Sequence, residues 1–131
     1  MIVVDTSVWI AAFRSRSSTE AATLQLLLDT DEVALALPVR VELVAGASRR
    51  DRRALRESLA GLPILRPTDE TWNLIESWIP KAADAGQRFA LADLMIGALT
   101  SEIDGLVWSL DADFERLAKL RLVSLYSRPS K

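Results

Sequence analysis

A parallel β-sheet covered by helices on both faces is the architecture this sequence predicts. Three observations carry that α/β reading. Short apolar runs, IVV at 2–4, VALAL at 33–37 and GLVWSL at 105–110, alternate with longer stretches of helical periodicity. The runs are continuous rather than alternating, as strands buried on both faces require. The 131 residues and 50% hydrophobic content suit one domain, spanning 1–131, with a core of useful size.

The elements follow in order. After strand 2–4, Asp5-Thr6-Ser7 reads as a helix start. Residues 18–29 (STEAATLQLLLD) form a second helix. Strand 33–37 runs into Pro38, well placed as a first helical residue, and VRVELVAG (39–46) continues as a short helix to Gly46. SRRDRRALRESLAG (48–61) is a basic amphipathic helix, and LPIL (62–65) a third strand. Thr68 is the expected N-cap of a helix with Asp69 and Glu70 in its first turn. Trp72, Ile75, Trp78, Ile79 and Ala82 recur along it at helical spacing, Pro80 should kink or split it, and Gly86 should end it. A nearly all-apolar helix is expected over 89–103, a strand over 105–110, a short helix over 113–120 and a last strand over 122–126.

Composition excludes much. The chain has no cysteine and no histidine. Thiol nucleophiles, disulfides, Ser-His-Asp triads and Cys/His zinc sites are therefore out. Chemistry must come from carboxylates, hydroxyls, amines or a bound metal. Net charge is −2, so any nucleic-acid contact depends on local patches. No apolar run approaches the roughly 20 residues of a membrane span, and Met1 leads straight into a strand rather than a leader. A soluble, cytoplasmic protein without a membrane partner is expected.

Four of the 18 acidic residues stand out of place. Asp5 and Asp111 each end a buried strand. Glu42 lies among Val39, Val41, Leu43 and Val44, and Asp93 stands in FALADLMIGAL, where its neighbours are apolar or glycine. Each has a bland reading: a helix cap for Asp5, Asp93 and Asp111, and a solvated helix position for Glu42. Asp113 competes with Asp111 for the cap. Together they read differently, because parallel strand ends and helix starts share one rim, where such folds place their sites. Two like charges 4 Å apart cost roughly 4 kcal/mol at an effective dielectric of 20. A divalent cation answers that repulsion, and oxygen-only ligands favour Mg²⁺ or Mn²⁺. Metal-activated water acting on a phosphodiester is the chemistry this suggests.

MIVVDTSVWI, PVRVELVAG, ALADLMIGA and VWSLDADFERL, in that order over almost the whole chain, resemble the PIN-domain nucleases, and among them the VapC toxins of VapBC toxin–antitoxin pairs. The resemblance implies a three-layer α/β/α fold. It implies Asp5, Glu42, Asp93 and Asp111 as the acidic cluster holding Mg²⁺ or Mn²⁺, with Asp113 as an alternative fourth acid, and Ser7 and Ser109 orienting the acids beside Thr6. The implied activity is hydrolysis of RNA without a covalent intermediate. The implied partners are a VapB-type antitoxin and a second copy in a homodimer. Two positions depart from the family pattern: Val39 stands where Thr or Ser is common, and Arg40, beside Glu42, is open to RNA phosphate or to an acid. Arg14, one helix from Asp5, is the favoured phosphate contact. The arginines at 49, 50, 52, 53 and 56 read first as a solvated face.

Other classes fit less well. Asp-Ala-Asp-Phe loosely resembles a haloacid-dehalogenase phosphatase, but it comes late and Glu115 occupies the place of the required Thr or Val. A receiver domain needs adjacent acids after its first strand. No glycine-rich phosphate loop exists among the five glycines. A PIN fold that binds RNA or antitoxin without cutting is the non-enzymatic alternative, and the presence of all four acids argues against it.

Overall fold

The computed structural model describes residues 1–127. Strands β1 (Ile2–Val4), β2 (Val33–Ala36), β3 (Ile64–Leu65) and β4 (Leu106–Trp108) form one sheet in the order β3-β2-β1-β4, with every pairing parallel. All of β1 and β2 is buried. Successive strand side chains point to opposite faces, so burial without alternation means cover on both sides. This is the three-layer α/β/α arrangement expected.

Seven helices join the strands among the described residues: α1 (Thr6–Arg14), α2 (Thr19–Asp29), α3 (Leu37–Gly46), α4 (Arg52–Leu59), α5 (Asp69–Asp84), α6 (Leu91–Glu102) and α7 (Ala112–Lys119). The starts have local causes. The Ser18 hydroxyl accepts the Ala21 N–H at 3.1 Å and caps α2. At α5, the Thr71 hydroxyl reaches back to the Thr68 N–H at 2.9 Å. Gly86, at φ +69°, closes α5 in a conformation that a side chain disfavours.

Four sequence expectations need correction. The basic helix is shorter than 48–61, because Ser48 and Asp51 bond to each other's side chain and backbone and form a turn instead. Pro80 lies inside α5 without dividing it. Pro80 and Glu76 are both exposed, so the carbonyl that loses its partner faces water, while Trp78 and Ala82 anchor the opposite side. The last strand reduces to a parallel bridge between Val107 and Leu125, held by bonds from Val107 N to Ser124 O and from Tyr126 N to Val107 O. The apolar helix begins at Leu91 rather than 89, after an extended Ala90.

Helix α6 touches β1, β2 and β4, and residues Leu94 to Thr100 are buried without interruption. A helix apolar on all sides belongs inside. Gly97 permits close packing against α5 and the segment after α7: a Cβ there would lie 3.1 Å from Val123 and 3.3 Å from Trp78.

The topology also fixes where a site can be. The chain runs outward from β1 through β2 to β3, then returns to lay β4 on the other side of β1. Connections after β1 and β4 therefore diverge and leave a crevice at their carboxyl ends. Val4 is in register with Trp108, and the Asp5 N–H donates to the Trp108 carbonyl at 2.8 Å. Asp5 and Ser109 emerge there side by side.

Candidate metal centre

Asp5 is only 7% exposed at the mouth of this crevice. It occupies the N-cap position of α1, yet its side chain makes no capping bond. Its Oδ2 accepts instead from two hydroxyls, Ser7 at 2.8 Å and Ser109 at 2.7 Å. Both serines are themselves fixed. Ser7 accepts the Leu110 N–H at 3.0 Å, and Ser109 accepts the Asp111 N–H at 2.9 Å. The segment after β4 is thus tied to the start of α1 through the carboxylate between them.

Asp93 lies in the first turn of α6, half-buried. One carboxylate oxygen from each of Asp93, Asp111 and Asp113 falls within 4.8 Å of the other two. Asp111 and Asp113 both stand beside Asp93. The helix-cap reading of Asp111 also holds, since its Oδ1 accepts the Asp113 N–H at 2.9 Å. Asp93 is not a cap, because Ala90 holds that position.

The charges act on one another. Burial, then a hydrogen bond to Asp113 and the charges of Asp113, Asp111 and Asp5, push the Asp93 carboxyl up to about 7. Asp113 is held below the ordinary carboxylate range, first by the guanidinium of Arg116, which bonds its Oδ1. Glu42 is raised by burial and by the Asp5 charge, and the Thr6 hydroxyl opposes the rise. Thr6 Oγ1 is otherwise buried without a hydrogen-bond partner.

Arg14 and Arg16 line a cleft of 470 Å³ together with Glu42, Phe13 and Leu43, and α4 forms its far wall. Among the described residues the ion pairs are Arg53–Glu57 and Arg116–Asp113. Arg40 pairs with no acid among them. Sequence reasoning missed Arg116. Its signal was present in DFER, where Asp113 and Arg116 stand three apart on one helix face.

The donor set fits a hard divalent cation. It consists of carboxylate oxygens without nitrogen or sulfur, and it gathers negative charge that Arg116 offsets only at Asp113.

Comparison with known proteins agrees with the fold. A family model described as PIN domain matches residues 2–120. Ribonuclease VapC11 of Mycobacterium tuberculosis is 30% identical over 125 residues, covering 92% of this chain and 93% of the relative. Among solved structures, VapBC-5 of Mycobacterium tuberculosis superposes with a TM-score of 0.68 at 30% identity, covering 94% of each chain. VapBC2 of Rickettsia felis, solved with a promoter DNA fragment, gives 0.78 at 17% identity over 96% of this chain and 98% of that one, a likeness of fold alone. The chain belongs to the PIN-domain family, in its VapC branch.

Proposed function

We propose that this protein is a ribonuclease toxin of a type II toxin–antitoxin pair, dependent on Mg²⁺ or on Mn²⁺ in its place. The observation that supports this most is the gathering of Asp93, Asp111 and Asp113 within 4.8 Å of one another, where burial first, and then the acids Asp113, Asp111 and Asp5, push the Asp93 carboxyl up to about 7. Gathered carboxylates are relieved either by a proton or by a bound cation, and a divalent cation would replace the proton here. When bound, a divalent cation supplies an activated water and stabilises charge on the departing oxygen of a phosphodiester.

The residues then divide the work. Asp5, Glu42, Asp93 and Asp111, with Asp113, would hold the cation. Ser7 and Ser109 keep Asp5 aimed into the crevice. Arg14 and Arg16 offer positive charge along the cleft that Glu42 shares, where an RNA backbone would need it. Exposed Ile10 and Phe13 at the same cleft suit a VapB-type antitoxin segment. Trp72 and Ile79, exposed seven residues apart on α5, suit a homodimer face. A cytoplasmic place of action goes with such partners. The likeness to VapC11 and VapBC-5 supports the same reading.

Purified, antitoxin-free protein should cut a pool of cellular RNA with Mg²⁺ or Mn²⁺, stop with chelator, and lose activity in Asp5→Asn. RNA binding that persists without any metal-dependent cutting would instead indicate a non-catalytic PIN fold.

A further inference from the structure

One side chain joins the acidic centre to a segment that carries none of its acids. Arg116 Nη2 donates to Asp113 Oδ1 in the first turn of α7. Its Nη1 donates to Gln87 Oε1, and both terminal nitrogens approach the Arg88 carbonyl, at 3.4 and 3.5 Å. Its Cζ lies 4.6 Å from the centroid of the Phe89 ring. The Arg116 side chain is about one-third exposed, so the contact is partly covered from solvent. Gln87 to Phe89 lead directly into α6, which carries Asp93 in its first turn.

We propose that Arg116 is a positioning residue for the metal centre: it clasps the entry of α6 to α7 and thereby sets Asp93 against Asp113. The inference rests on the metal-centre reading above. The chemistry is particular to arginine. A planar fork donates in two directions in its plane and stacks by its face, and here Asp113, Gln87 and Phe89 use all of these. A lysine ammonium keeps the charge but cannot make the three contacts together.

Electrostatics gives the opposite expectation, which makes the idea testable. A cation beside an acidic site opposes binding of a second cation, so charge alone predicts that its removal tightens metal binding. A clasp predicts weakening. Outer partners of metal-bound carboxylates typically change metal affinity by about 10- to 100-fold.

The test is Mn²⁺ binding, followed by titration calorimetry and the Mn²⁺ spin resonance signal, with thermal melts run in parallel. The variants are Arg116→Ala, Arg116→Lys and Gln87→Ala. The clasp predicts binding weakened about tenfold in both Arg116 variants, and weakened by a smaller factor in Gln87→Ala. Should Arg116→Ala fail to fold, Arg116→Lys and Gln87→Ala decide. Wild-type affinity in Arg116→Lys, or equal or tighter binding in folded Arg116→Ala, would overturn the proposal while leaving the centre in place. Wild-type protein that takes up no Mn²⁺ would overturn both.

Discussion

Asp93 shows how one residue reports on the whole centre. Its carboxyl, raised to about 7, keeps a proton in the folded state that the unfolded chain gives up near the ordinary aspartate value. Between those two values the folded state binds more protons, so metal-free stability falls as pH rises toward and through 7. Asp113 is shifted down and works in the opposite sense, losing stability as pH falls through its folded value. Asp93→Asn should therefore stabilise the metal-free protein at pH 8 by about 1 kcal/mol, after discounting for solvent screening of a half-buried group. The gain should shrink toward pH 5, as urea melts at the two pH values would show. Ser109→Ala removes one of the two hydroxyls on Asp5, and a loss of about tenfold in Mg²⁺-dependent cleavage is expected, with the fold intact by circular dichroism. The acids themselves were legible because carboxylates at the ends of apolar runs look misplaced. The Arg116–Asp113 pair could have been found in DFER, but the links of Arg116 to Gln87 and Arg88 could not, because those residues stand 29 and 28 positions away.

The element that positions most of this is α6. It packs against the sheet on one side, and Gly97 lets Trp78 of α5, Leu117 of α7 and Val123 close on it elsewhere. Gly97→Val should destabilise the protein by about 2–3 kcal/mol through overpacking against Val123 and Trp78, read as a lower urea midpoint. Strands β1, β2 and β4 were readable because each is an unbroken apolar run between helix signals. The errors arose where local patterns do not reveal tertiary context. Pro80 breaks a helix by its own chemistry, but an exposed position in a well-anchored helix absorbs the lost bond. Residues 122–126 look like a strand, and only Leu125 makes a bridge beside β4. Ser48 and Asp51 suit a helix start, yet they satisfy each other first.

Across the whole molecule, a net charge of −2 and an acidic centre oppose RNA, so the proposed RNA binding would depend on where the cations lie. Arg14 and Arg16 lie along the cleft that contains Glu42. Arg14→Gln should weaken RNA binding and reduce the slope of log affinity against log salt by about 0.7, the contribution of one phosphate contact on a single strand. The topology was the most legible feature, since alternating strands and helices leave few choices, and it placed Asp5 and Asp111 on one rim before any coordinates. The distances among Asp93, Asp111 and Asp113 were not legible, because they depend on how α6 and α7 pack. The most direct test of the central claim is a crystal soaked in Mn²⁺ and examined by anomalous scattering. The account predicts a manganese peak within coordination distance of Asp93 and at least one of Asp5, Asp111 and Asp113. No peak at the ends of β1 and β4, in crystals that still diffract after soaking, would contradict it.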